Sequence, residues 1–388
     1  MVYIVQDSCD PSQVNETRTQ ARLDAMDQKI VAALQADPRA SWAQLGSSVG
    51  VSETTVLRRV QRLRDTGALV VVAAPDALLC GFGQPVLLEF RTAPGQATAL
   101  AEKLAMRADV RFVALLTGRS DVMCELIVPD RRYLTRVLNH EIPAYGSVMG
   151  TTTHVVLKTF KTGDQWSRGL LDADGGSTEQ QEVRGSAENP ARLDAMDMRL
   201  LAALGHDGRR SYADLSHELG LSETAIGRRV VALTSSRRLY FVAMVEPTTL
   251  GFEVEVLVHL RVEHGHLEDV ATNLASLSPV RYVSATTGFS DLVFEAIFRD
   301  NAALYEFLTE TLQELDGVRE IEVDVVLESV KRAFRYPLFV PEEERASVTS
   351  TVPAAQKQRR RTREQAATKS TPGKQTTKRT STKQSPPD

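Results

Sequence analysis

The chain has 388 residues, 42% apolar and 25% charged, enough for two to four domains whose cores need no covalent staples. Its three cysteines, Cys9, Cys80 and Cys124, lie at wide, unpatterned spacings that support neither a disulfide framework nor a zinc knuckle, and no secretory leader or span-length apolar run is visible, so a reducing cytoplasm is expected and a membrane is not. The net charge of −4 divides sharply: from residue 354 onward ten Lys and Arg face only Glu364 and Asp388, giving the tail +8 and the remainder −12, which points the tail toward a polyanion.

In chain order, residues 1–20 are an extension and the first periodic run begins at 21. The string ARLDAMD at 21–27 recurs letter for letter at 191–197, and the 170-residue offset continues without a gap: VSETTVLRRV meets LSETAIGRRV, TGRSDV meets TGFSDL, and VVLK meets VVLE. A period this long suits one compact module copied whole rather than a solenoid unit. In the first copy Leu23, Asp27, Ile30 and Leu34 recur at helical spacing until Asp37 and Pro38 stop the run. A second helix is predicted over 41–49, with Trp42, Leu45 and Val49 as its apolar stripe and Gly50 as a left-handed exit. Ser52 then caps a third, whose Val56, Val60 and Leu63 share a face until Gly67. Three short helices with a tight turn before the last describe a helix-turn-helix, over 21–70 and again over 191–239.

On that third helix Thr54, Arg58, Gln61 and Arg62 project away from the apolar face, with Arg59 at the flank and Ser52 and Thr55 at the start. A guanidinium can grip guanine O6/N7 or phosphate, an amide can read adenine, and a hydroxyl can reach a backbone oxygen, so double-stranded DNA is the expected partner. In the second copy Ser222, Thr224, Arg228 and Arg229 keep the pattern, while Gln61 and Arg62 become Val231 and Ala232. The first reader is therefore expected to supply most base specificity, the second contributing weaker contacts through Arg228, Arg229, Arg237 and Arg238.

Beyond Leu69 the apolar VVVAAP reads as a strand and hinge. A strand at 85–92, a helix at 95–109, two strands meeting at 118–121, a helix at 131–139 and a strand at 153–160 follow. This β-α-β-β-α-β order is ferredoxin-like and is assigned to 71–163 and 240–338. The Gly/Ser/acidic stretch 164–190 is a linker, and 339–388 is expected to be a disordered basic tail. The fold class is α+β: two copies of a winged, three-helix reader followed by a ferredoxin-like domain.

The order and spacing of these pieces resemble the Lrp/AsnC family of feast/famine regulators over 21–160 and 191–330. The most specific shared motifs are the opener Leu23, Asp24, Asp27 (Leu193, Asp194, Asp197), the S-E-T-x-(V/I)-x-R-R-V helix, and the T-G-x-x-D turn of Thr117, Gly118 and Asp121 (Thr287, Gly288 and Asp291). The resemblance implies a non-enzymatic transcription regulator with RAM/ACT-like sensing domains and no cofactor. It further implies an amino-acid effector at the turns where dimers meet, with Gly118 and Gly288 letting backbone approach the ligand and Asp121 and Asp291 accepting its ammonium group. Since single-module relatives pair to place two readers on successive half-sites, one fused chain is expected to act as a pseudo-dimer, assembling further into homo-oligomers.

Two other functions compete. The basic tail allows a nucleoid-associated, architectural DNA-binding role. A sister group of the same architecture comprises siroheme decarboxylases, which use histidine and arginine around a tetrapyrrole. Here the histidines (His140, His154, His206, His217, His259, His264 and His266) are scattered, and only His264 and His266 adjoin, in a loop before a helix, where two alone make a poor metal site. No P-loop or Cys-His pairing is present.

Overall fold

The computed structural model describes residues 22–163 and 193–332; the extension, the linker and the basic tail read from the sequence lie outside the described residues. Asp24 opens α1 (Ala25–Ala36) by accepting from the Asp27 backbone N–H at 2.8 Å. Ser41 and Gln44 cap each other across the first turn of α2 (Trp42–Val49), Gly50 turns out at φ 76°, and Ser52 opens α3 (Glu53–Asp65). Strand β1 (Leu69–Pro75) leads into β2 (Gln84–Thr92), α4 (Ala97–Ala105), β3 (Val110–Leu116), β4 (Val122–Val128), α5 (Arg131–Arg136) and β5 (Val148–Lys161). The second copy repeats this as α6 (Ala195–His206), α7 (Tyr212–Leu219), α8 (Glu223–Ser235), β6 (Leu239–Val245), β7 (Val254–Val262), α9 (Leu267–Ser276), β8 (Val280–Thr286), β9 (Leu292–Phe298), α10 (Asn301–Glu306) and β10 (Val318–Lys331).

The β-α-β-β-α-β order is present twice, but the two sheets are not separate. Their strands close into one barrel in the order β10-β3-β4-β2-β5-β8-β9-β7. Closure explains why β5 starts earlier than the predicted 153–160. Its first half pairs with β2 of its own copy, and its second half crosses to β8 of the other, with Val156 opposite Thr286. The equivalent β10 crosses to β3, with Val326 opposite Leu116. Alternation along the strands then puts Val86, Leu88 and Phe90 under the helices, while Leu87, Met123, Val156, Leu257 and Val293 gather on the other face, inside the barrel.

The readers are exchanged between the modules. Strand β1 pairs antiparallel with β6, from Leu69 opposite Val245 to Pro75 opposite Leu239, forming a separate two-stranded sheet. The core of the first reader is completed by Ala243, Val245, Leu250, Phe252 and Ile297 of the second module. That of the second reader is completed by Ala73, Ala77, Cys80, Phe82 and Ile127 of the first. Arg39 and Arg209, equivalent in the repeat, lock the exchange reciprocally. Arg39 donates to the Gly208 and Arg210 carbonyls at 3.0 and 3.2 Å, and Arg209 to those of Pro38 and Ala40 at 2.6 and 2.7 Å. Arg209 also stacks 4.0 Å over Trp42.

Candidate functional site

The third helices carry the expected DNA-facing groups, sorted by what already holds them. Val56, Val60 and Leu63 are buried, as are Ile226, Val230 and Leu233 in α8, so the opposite faces point to solvent. Ser52 and Ser222 are caps: Ser52 Oγ accepts from the Thr55 N–H at 3.3 Å and contacts the Thr54 and Thr55 hydroxyls at 3.1 and 2.9 Å, while Ser222 Oγ accepts from the Ala225 N–H at 3.2 Å. Thr54 and Thr224 are exposed beside them. Gln61 is exposed and donates to Asp65 at 2.7 Å. Arg58 and Arg228 are exposed, with no ion pair among the described residues.

Arg59 and Arg229 are held by the carboxylates of the opener. The Arg59 guanidinium meets Asp24 at 2.6 Å and Asp27 at 2.8 Å, and Arg229 meets Asp194 at 2.7 Å and Asp197 at 2.6 Å. Arg62 also binds Asp27, whose carboxylate is 2% exposed. The LD-x-x-D opener thus has a physical role that sequence reasoning quoted without assigning: its carboxylates clamp α1 to α3 and orient the reading helix. The Arg59 hydrogen bond, aided by the Asp27 backbone N–H, holds the Asp24 carboxyl below its ordinary range. Arg237 has a positive φ of 56° in the tight turn before β6.

The T-G-x-x-D turns lie where the modules join. Thr117 exchanges two hydrogen bonds with Val325, its N–H donating to the Val325 carbonyl and its Oγ accepting from the Val325 N–H, both at 2.9 Å. Thr287 does the same with Val155 at 2.9 and 3.0 Å. Gly118 (φ 94°) and Gly288 (φ 110°) do admit a close approach, but the group approaching is the other module's. A Cβ on Gly118 would lie 2.1 Å from Asp324 Oδ1, and one on Gly288 2.7 Å from His154 Nδ1. Asp121 accepts from the Thr92 N–H at 2.6 Å and its hydroxyl at 3.1 Å, and Asp291 from the Val262 N–H at 2.9 Å. One oxygen of each carboxylate is therefore spent on tying the turn to its own sheet.

Two further features of the junction were not foreseen. A cavity of about 110 Å³ reaches into the barrel below β6, lined by two equivalent ion pairs, Arg111 with Glu125 at 2.6 Å and Arg281 with Glu295 at 3.0 Å, together with Tyr240 and Tyr282. Burial, opposed by Arg281 and reinforced by neighbouring Glu255, pushes the Glu295 carboxyl up to about 7. At the crossing of the turns, Glu89, His154, His259 and Asp324 come together, all 2% exposed or less. Two histidines judged scattered in the sequence thus belong to one buried cluster. The available signal was the repeat itself, whose register places Glu89 opposite His259 and His154 opposite Asp324.

Comparison with known proteins agrees with this architecture. The AsnC-type helix-turn-helix domain matches residues 23–64 and 193–234, and the Lrp/AsnC ligand binding domain matches 86–166 and 255–336. The HTH-type transcriptional regulator Ptr1 of Methanocaldococcus jannaschii is 32% identical over 147 residues, 38% of this chain and 99% of that protein. The Bkd operon transcriptional regulator of Pseudomonas aeruginosa is 34% identical over 152 residues, 38% of this chain and 99% of its own length. Among solved structures, the siroheme decarboxylase NirDL superposes with a TM-score of 0.58 at 16% identity, covering 84% of this chain and 98% of that one. No described helix is long and apolar enough to cross a membrane.

Proposed function

Because the chain belongs to the Lrp/AsnC family of transcriptional regulators, we propose that it reads specific operators as a built-in pair of readers, one chain standing where two single-module subunits would. The observation that carries this reading is the exposed, uncommitted pair Arg58 and Arg228, held on helices whose separation is fixed by the exchanged cores and the Arg39/Arg209 lock. Paired readers on a fixed frame select half-site spacing as well as sequence. Thr54, Gln61 and Arg62 add polar reach around Arg58, whereas Val231 and Ala232 flank Arg228, so base discrimination concentrates in the first reader. Thr224 and Arg228 then supply chiefly backbone contacts, and Arg237 and Arg238 lie beyond them.

The effector is a small metabolite of the amino-acid class. The paired Arg and Glu side chains of the barrel cavity suit a zwitterion, with a guanidinium for its carboxylate and a carboxylate for its ammonium group. The turns bearing Gly118, Asp121, Gly288 and Asp291 are the alternative seat, using the second carboxylate oxygen. Either lies at the module junction, where a ligand can bias the angle between readers. Regulation is favoured over decarboxylation because the likeness to NirDL is one of architecture, which does not carry chemistry. Chains assemble further through homo-oligomer contacts in the cytoplasm, with the basic tail adding nucleoid affinity.

Selection of bound duplexes from random DNA, with and without a panel of amino acids, tests this reading. A two-half-site consensus is expected, lost more fully in R58A/R62A than in R228A. Equal losses, or no consensus at all, would overturn it. Loss of the amino-acid response in R281Q but not D121N would place the effector in the cavity, and the reverse would place it at the turns. A purified protein whose spectrum shifts on adding siroheme, with loss of carboxyl groups from the tetrapyrrole, would reinstate the enzyme.

A further inference from the structure

We propose that Glu89, His154, His259 and Asp324 form a binding site for a divalent transition-metal ion of the zinc type, at the crossing of the two modules. The four residues come from β2, β5, β7 and β10, two from each module, and they exchange places under the repeat: Glu89 with His259, His154 with Asp324. Each half thus offers one imidazole and one carboxylate, a mixed N₂O₂ set that suits zinc and its neighbours.

Three potential ligand atoms face one another at the centre of the cluster. Glu89 Oε1 lies 3.1 Å from His154 Nε2 and 3.3 Å from His259 Nε2, and the three atoms fall within 4.8 Å of one another. Asp324 Oδ2, 4.0 Å from His259 Nε2, lies outside that close triad and would draw in to complete the set. All four atoms are buried and none makes a hydrogen bond in this arrangement. Convergent, dehydrated acceptors of this kind are costly unless something cationic sits among them. Bonds of about 2.0–2.1 Å to a tetrahedral ion place neighbouring ligand atoms about 3.3–3.4 Å apart, close to the two shortest separations.

The surrounding contacts orient the donors as ligands. His154 Nδ1 lies 3.0 Å from the Thr287 carbonyl, which can only accept, so Nδ1 carries the proton and Nε2 presents its lone pair inward. His259 Nδ1 meets Ser290 Oγ at 3.3 Å, and Ser120 Oγ donates to Glu89 Oε2 at 2.9 Å, leaving Oε1 for the centre. Asp324 accepts from the Arg119 backbone N–H. Ser120 and Ser290 are equivalent in the repeat, so the supporting contacts follow the same symmetry as the donors. Phe289 packs 5.0 and 5.2 Å from the two imidazoles, and Arg119 stacks over it at 4.0 Å, roofing the cluster from the exposed turns. An ion here would tie both modules together at the point where their turns cross.

The full-length chain, stripped with a chelator and dialysed, is titrated with Co²⁺ and then with Zn²⁺. One Co²⁺ per chain with the visible absorption of a four-coordinate site, displaced by Zn²⁺ and accompanied by a raised melting temperature, is expected. H154Q and H259Q should each weaken uptake at least about 100-fold, and S120A about tenfold. H264Q/H266Q should leave it unchanged. Failure of the wild-type chain to take up either ion, or undiminished uptake in H154Q/H259Q, overturns the site. Should the histidine variants not fold by circular dichroism, the wild-type spectrum and S120A decide it: an octahedral-type spectrum, or S120A uptake equal to wild type, counts against the proposal.

Discussion

Replacing Asp27 with Asn should destabilise the first reader while leaving its DNA-facing surface chemically intact. The Asp27 carboxylate is 2% exposed and serves Arg59 at 2.8 Å and Arg62, whose side chains are 24% and 56% exposed. A charge-assisted hydrogen bond at a buried acceptor contributes about 1.5–3 kcal/mol, and the more exposed Arg62 contact about 0.5–1 kcal/mol. Asparagine keeps the shape but turns one acceptor into a donor facing guanidinium donors. A loss of about 2–4 kcal/mol is expected, somewhat below that for a fully sealed pair because both arginines can swing into water. Asp197 is more exposed at 15%, and Ala232 stands where Arg62 does, so D197N should cost only about 1–2 kcal/mol. Urea unfolding followed by Trp42 fluorescence, in a Trp166→Phe background, reads the first reader directly because Trp42 lies in α2. Equal costs for D27N and D197N, or a D27N cost under about 0.5 kcal/mol, would refute the clamp.

Gly118→Ala should lower stability by at least about 2 kcal/mol in urea titrations, combining left-handed strain with displacement of Asp324. Burial pushes Lys161 and Lys331 down to about 8, each donating to a carbonyl, of Leu277 and Arg107 respectively. Their ordinary value of 10.5 in the unfolded chain means the unfolded state binds more protons between pH 8 and 10.5. Stability should therefore rise with pH across that window, by up to about 3 kcal/mol per lysine, the cost being full below pH 8. Urea midpoints that stay flat from pH 8 to 9.5, or a slope that survives in K161M/K331M, would contradict this. Removing 354–388 should flatten the salt dependence of DNA binding, by up to about 7 in logarithmic slope if all eight net charges engage phosphate, while the selected consensus stays the same.

Helix-level order was legible because the caps were: Ser41, Gly50 and Ser52 each mark a boundary that the structure places within a residue or two. The β-α-β-β-α-β order was legible from alternation and turn chemistry. Exchange of the readers was not, since nothing in VVVAAP says whether its partner strand is its own module's or the other's. The Arg59 clamp was not legible because periodicity put it on the helix flank but could not say that Asp24 and Asp27 lay within reach. His154 and His259, 105 positions apart in the chain, become neighbours only when the barrel closes.

Each reader's core is finished by strand and loop residues encoded in the other module, so neither half of the gene specifies a sealed DNA-binding unit alone. In a cell that makes single-module paralogues, those subunits could trade partners with one another. Here, among the described residues, the seam that such a subunit would enter is already filled by the chain's own other module, so a reading pair built this way would be set at translation, indifferent to the abundance of its cousins.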